Sequence, residues 1–218
     1  QTMKHRRFPV GPLWTNTYLF WDEEGKGFLV DPAGETGQIA RFAETQGISV
    51  EKILLTHGHL DHAAGLSEAL EMFGGKAFVP AGDASLVRSP DSGLRQLMGS
   101  EFSGTDDFSA VSDGDRLTAG AMEISVIATP GHTPGSVCYL VTSGSQKVLI
   151  SGDTLFAGSV GRTDLPGGDP DELDRSIARL AELSDDLPVF PGHGPETDIG
   201  TERARNPFWP GETGRKGK

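Results

Sequence analysis

The sequence predicts an α/β fold of one domain, with two strand-rich halves forming a sandwich of sheets covered by helices on both outer faces. Three observations predict it. The chain has 218 residues, enough for one substantial core and too few for two comfortable ones. Short apolar runs of strand character recur in both halves, separated by segments with helical spacing. The 30 glycines and 14 prolines are scattered between these runs without a period, so they punctuate many short elements instead of marking low complexity.

Taken in order, Phe8–Val10, Thr17–Phe20 and Gly27–Val30 read as strands divided by the Gly11-Pro12 and Glu24-Gly25 turn signals, and Asp31-Pro32 ends the group. Ile39, Phe42 and Ala43 have i, i+3, i+4 spacing, which predicts a helix from after Thr36 to near Gly47. Lys52–Leu55 reads as a buried strand, Ala63–Phe73 as a helix stopped by Gly74-Gly75, and Ala77–Val79 as another strand. The stretch Ser89–Ser112 is polar, anchored only by Leu94, Leu97, Met98, Phe102 and Phe108, and reads as a surface loop or lid. Strands follow at Met122–Ala128, Val137–Val141 and Lys147–Ile150, then a helix over Asp171–Leu183 and a strand at Pro188–Phe190. Residues 1–5 and 211–218 read as flexible tails of a single domain spanning 1–218.

The formal net charge of −12 argues against a nucleic-acid or anionic-membrane partner, which it would repel at long range. An anionic small substrate stays compatible, because bound cations reverse the local field. The single cysteine, Cys138, sits in a predicted strand, leaves no internal disulfide and suits a reducing cytoplasm. No apolar stretch reaches the roughly 20 residues of a membrane helix, and the N-terminus carries no signal-peptide core.

Chemistry concentrates in the histidines. Thr56-His57-Gly58-His59-Leu60-Asp61-His62 follows a predicted strand directly, so His57 and His59 converge from a loop while Asp61 and His62 project from a helix start. Gly58 permits a tight approach there. His132 in Thr129–Gly135, Asp153 in Ser151–Thr154 and His193 in Pro191–Pro195 each stand at a further strand end. Three histidines and an aspartate within six residues have no packing rationale, since each would need a buried partner. Imidazole and carboxylate without thiolate suit zinc, iron or manganese, and seven donors exceed the needs of one tetrahedral ion. Two ions sharing a carboxylate are expected. His5, flanked by Lys4, Arg6 and Arg7, reads as an ordinary surface or core residue.

H-x-H-x-D-H followed by single His, Asp and His at strand ends resembles the metallo-β-lactamase superfamily, over about Phe8–Phe208. The resemblance implies a four-layer αβ/βα sandwich with metals at one edge. It implies one ion on His57, His59 and His132, a second on Asp61, His62 and His193, and Asp153 bridging them. Ser151–Phe156 and Gly161-Arg162-Thr163-Asp164 are similar to the glyoxalase II group, which hydrolyses glutathione thioesters, and Pro191–Pro195 with Glu202-Arg203 and Asn206–Phe208 resembles its short bacterial members. Arg162 falls where larger glyoxalase II enzymes carry a basic glutathione-binding residue, with a salt bridge to a neighbouring aspartate as the structural alternative. The C-terminal helical domain of those enzymes has no counterpart, and Tyr18 and Tyr139 both lie in predicted core strands.

The expected activity is therefore hydrolysis of a small-molecule thioester, S-lactoylglutathione-like, by a metal-bridged hydroxide that Asp61 ligates and orients, in the cytoplasm and as a monomer or dimer. Thr133 and Thr154 stand next to ligands, where each either supplies a hydrogen bond behind the donors or closes a turn, the turn being the preferred reading. The rivals are a mononuclear iron persulfide dioxygenase using residues that match His57, His132 and Asp153, a lactonase, and a metal-binding protein without turnover.

Overall fold

The apolar runs fold into two stacked six-stranded sheets, seen in a computed structural model that describes residues 2–211. Gln1 and residues 212–218, which take up most of the expected C-terminal tail, lie outside the described residues. The first half runs β1 (Lys4–Val10), β2 (Thr15–Trp21), β3 (Lys26–Val30), α1 (Thr36–Gln46), β4 (Ser49–Leu54), α2 (Leu60–Ala63), α3 (Leu66–Phe73), β5 (Lys76–Pro80), a 3-10 turn (Ala81–Asp83), α4 (Ala84–Arg88), α5 (Ser92–Met98) and β6 (Ser109–Val111). The second half runs β7 (Arg116–Ala119), β8 (Met122–Ala128), β9 (Val137–Ser143), β10 (Gln146–Gly152), β11 (Leu155–Phe156), β12 (Ser159–Val160), α6 (Pro170–Leu180), β13 (Pro188–Pro191), β14 (Thr197–Asp198) and α7 (Ile199–Arg205).

Four layers follow from where the apolar side chains go. Alternate residues of a strand face opposite sides of its sheet, and here both sides are covered. Phe20, Phe28, Val30 and Leu54 of the first sheet meet Ile124, Val126, Tyr139 and Ile150 of the second in the central core. Leu19, Leu29 and Ile53 face outward onto Ile39, Ala43, Leu66 and Ala69 of α1 and α3. Cys138, Leu149 and Val189 face the other way, onto Leu173, Ile177, Leu180 and Ile199 of α6 and α7. Cys138 is thus core, as its strand setting predicts.

Three sequence expectations need correction. The first strand begins at Lys4, with His5 opposite Phe20, so residues 4 and 5 belong to the sheet and not to a tail. The helix expected over Ala63–Phe73 is two helices, broken at Ala64-Gly65. The Gly65 N–H donates to Pro32 O at 2.8 Å, and a Cβ on Gly65 would lie 2.9 Å from that same oxygen. The stretch Ser89–Ser112 is no plain loop: it holds α5 and β6, and Phe102 is buried against the outer core of the first sheet. Leu97, one of its expected anchors, is instead 83% exposed.

Strand direction places the chemistry. β9 is antiparallel to both β8 and β10, and β13 is parallel to β10, so β8, β10 and β13 all end at one edge of the second sheet. β3, β4 and β5 are mutually parallel and end together in the first. Hydrogen bonds join the two edges, from Val137 N to Thr56 O at 2.8 Å and from Asn16 N to Gly192 O at 2.7 Å. The loops carrying His57, His132, Asp153 and His193 therefore face one another.

Candidate metal centre

The structure brings all seven side chains singled out in the sequence together at this edge. β4 runs into Thr56–His59, whose backbone turns at once into α2, bringing Asp61 and His62 inward. His132 follows β8, Asp153 follows β10 and His193 follows β13. Close backbone approach is obligatory at Gly192, where a Cβ would sit 2.3 Å from Asp153 Oδ1 and 2.7 Å from His62 Cε1.

The donor atoms form two adjoining groups. His57, His59 and His132 make one, with His59 Nδ1 and His132 Nε2 3.0 Å apart. Asp61, His62, Asp153 and His193 make the other, with His193 Nε2 3.2 Å from Asp61 Oδ2 and His62 Nε2 3.1 Å from Asp153 Oδ1. Asp153 lies between them, its Oδ2 3.4 Å from both His132 Nε2 and His193 Nε2 and 3.8 Å from His57 Nε2.

These residues fit a pair of cations. His57 Nε2 and Asp153 Oδ1 are buried without a hydrogen-bond partner, a costly arrangement unless an ion takes them. Electrostatics agree. Burial, then the charge of His62, pushes His57 well below its ordinary value, leaving a neutral imidazole with a free lone pair. Burial opposes ionisation of Asp153, yet His62 and His193 overcome it and hold the carboxyl well below its usual range. Burial likewise opposes the proton on His193, but bonds to Asp153 and Asp61 raise it to about 9. The cluster thus favours positive charge, which protons on His62 and His193 or bound cations would each supply.

Around the donors stands a set of orienting bonds. His132 Nδ1 donates to Arg162 O at 2.8 Å, and His62 Nδ1 to Asp31 Oδ2 at 2.8 Å, which fixes each ring with Nε2 toward the centre. Asp31 also accepts from Thr56 N and Thr56 Oγ1, at 2.8 and 2.7 Å, and holds a left-handed backbone at φ 53°. The sequence showed Asp31 only as the end of a strand; its position beside the histidine loop depends on the parallel pairing of β3 with β4. Asp83, also buried, was missed altogether. Thr133 donates to Asp83 and Thr154 pairs with Thr129, so neither threonine touches the seven donors. His5 lies apart, 3.2 Å from Glu196.

The centre opens on a cleft of about 370 Å³. One wall is apolar, from Leu13, Phe156, Val160 and Leu165; Arg162 stands at the rim, exposed, with Nε and Nη2 on the two oxygens of Asp164 at 2.7 and 2.8 Å. The salt bridge to a neighbouring aspartate is present, and it leaves Arg162 among the residues that line the cleft. Among the described residues no helix is long and apolar enough to cross a membrane.

Comparison with known proteins agrees with this geometry. The metallo-beta-lactamase superfamily profile matches residues 10–193. The chain is 37% identical to a probable metallo-hydrolase, YqgX, of Bacillus subtilis, over 94% of this chain and 97% of that one. It is 34% identical to the hydroxyacylglutathione hydrolase GloC of Haemophilus influenzae, over 92% and 95%. Among solved structures, the B3 metallo-beta-lactamase BLEG-1 superposes with a TM-score of 0.88 at 33% identity, covering 95% of this chain and 100% of that one. TTHA1623 in a di-iron-bound form gives 0.83 at 36%, covering 93% and 99%. With the four-layer sandwich, the edge cluster and the family match in agreement, the chain belongs to the metallo-beta-lactamase superfamily.

Proposed function

We propose that the chain hydrolyses thioesters of a small anionic thiol, in the manner of a hydroxyacylglutathione hydrolase, at a two-metal centre. The observation that carries this reading is the position of Asp153, shared by two donor groups at the floor of one cleft. His57, His59 and His132 would hold one divalent ion, Asp61, His62 and His193 the other, and Asp153 both. Two such ions, zinc foremost with iron or manganese as alternatives, supply Lewis acidity and an activated water at neutral pH.

The chain's own residues supply the rest. Asp61, at the cleft surface, orients the attacking water through its carboxylate. Leu13, Phe156, Val160 and Leu165 pack on the apolar part of the substrate and exclude bulk water. Arg162 binds a substrate carboxylate, with Asp164 holding the guanidinium in place. Neither tyrosine takes part: Tyr18 and Tyr139 are buried and donate to the carbonyls of Pro191 and Leu55, both at 2.6 Å. The relationship to GloC, whose name carries this activity, supports the glutathione thioester as first substrate to try.

The test is metal content of the purified protein paired with hydrolysis of S-lactoylglutathione. Two equivalents of metal and turnover that Asp153→Ala abolishes support the reading. One equivalent of iron, oxygen uptake on glutathione persulfide and no thioester cleavage would replace it with the dioxygenase. Cleavage of lactones alone would replace it with a lactonase.

A further inference from the structure

The loops that carry His59 and His132 meet at one buried carboxylate. Asp83 closes the 3-10 turn after β5, is 0% exposed, and accepts three hydrogen bonds. Gly58 N donates to Oδ2 at 2.9 Å, Thr133 Oγ1 to Oδ2 at 2.6 Å, and Gly135 N to Oδ1 at 2.8 Å. Gly58 stands between His57 and His59, and Thr133 follows His132. Asp61, His62 and His193 receive none of these bonds.

The packing leaves no slack. A Cβ on Gly58 would lie 2.9 Å from Asp83 O, and one on Gly135 would lie 2.4 Å from Asp83 N and 2.6 Å from Asp83 Oδ1. The two glycines thus let both loops press onto the residue that bonds them. All three partners act as donors toward Asp83, so the site demands acceptors at both oxygens. An amide in its place would turn an N–H toward a backbone N–H and leave it buried without an acceptor.

We propose that Asp83 is the positioning residue of the imidazole-rich half of the centre. It fixes the loops of His57-His59 and His132 at the separation that brings His59 Nδ1 within 3.0 Å of His132 Nε2, and so sets that half's affinity for its ion. The inference rests on the two-ion reading above but not on the identity of the substrate.

Metal affinity, read by competition with a chromophoric chelator for zinc, tests it. Asp83→Asn is compared with the wild type, with His132→Ala and His193→Ala as references for the two halves, and with Asp22→Asn as a control. Asp22 is a second buried carboxylate, in the turn after β2 at the far end of the strands from the centre, and it accepts from the backbone N–H groups of Glu24, Lys26 and, between β7 and β8, Ala121. The expected result is that Asp83→Asn weakens one ion by about 10- to 100-fold, as His132→Ala does, while the other stays within about twofold. Asp22→Asn lowers Tm but keeps both ions. Wild-type affinities in Asp83→Asn, a loss that matches His193→Ala, or the same loss in Asp22→Asn would each overturn the inference. Should Asp83→Asn not fold, Thr133→Val removes one of the three bonds and is expected to weaken the same ion by about threefold; unchanged affinity overturns the inference equally. A wild-type protein that takes up one ion sinks the two-ion reading, and Asp83 is then judged on that ion by the same comparison.

Discussion

His62 donates its Nδ1–H to Asp31 across 2.8 Å, which leaves Nε2 facing Asp153 Oδ1 at 3.1 Å. The ring is held between two carboxylates, one that orients it and one that shares its task. Burial alone would strip His62 of its proton, but Asp153, Asp61 and Asp31 together raise it well above the ordinary value. Asp31→Asn leaves a single acceptor oxygen where Thr56 N and His62 Nδ1 each need one; with the Thr56 N–H bond retained, the ring loses the bond that fixes its tautomer. The substitution is expected to weaken the ion on Asp61, His62 and His193 by about 10- to 100-fold, read by the same chelator competition. Equal loss at both ions would mean that Asp31 acts through Thr56 and the whole loop instead.

Removal of metal is expected to lower the melting temperature. Each ion present at about 100 times its dissociation constant stabilises the folded state by roughly 2.7 kcal/mol. For a chain of this size that corresponds to about 5–11 °C in Tm. Calorimetry with and without a strong chelator measures it, and an unchanged Tm would show that the cluster binds no ion tightly.

Arg162→Ala is expected to raise KM for an anionic thioester by about two- to fivefold with kcat little changed, since the guanidinium is exposed and screened. Arg162→Lys recovers only part, because an ammonium cannot present two parallel donors. A fall in kcat alone would place Arg162 nearer the reacting atoms than the cleft rim.

Asp22 gives the fold a defined acid response. Burial opposes its ionisation, but the N–H groups of Ala121, Lys26 and Glu24 outweigh burial and hold its carboxyl below the ordinary value. A depressed folded-state value means the contribution is complete above the unfolded-state value, near pH 4, and is lost as pH falls through the folded one. At pH 7 Asp22→Asn is expected to cost about 1–3 kcal/mol. Denaturant melts should show the gap to wild type closing below pH 4; a constant gap would assign the effect to packing.

The donor set was legible because its chemistry is concentrated: four of the seven residues fall within His57–His62, and each of the others ends an apolar run. Asp31 and Asp83 were not legible, because a lone aspartate before proline, or among Ala81, Gly82 and Ala84, carries no signal of the distant segments that bury it. The Gly65 break escaped because apolar spacing continues across it, and only Pro32, distant in sequence, shows why the backbone must turn. α7, with Ile199 as its one buried aliphatic, and the two-residue strands β11, β12 and β14 are too short to leave a period. Arg162 could be read from sequence only as a choice between a substrate contact and a salt bridge; the Asp164 ion pair is found, at the edge of the cleft.

The hydrogen bond from Val137 to Thr56 ties the two sheets at the edge where both deliver their donors. Neither half of the chain owns a complete site: His57 to His62 come from the first, His132 to His193 from the second. The full donor set of either ion is therefore assembled only when the two halves are docked. A bound ion is thus expected to slow unfolding more than it speeds refolding, because it bridges donors from both halves.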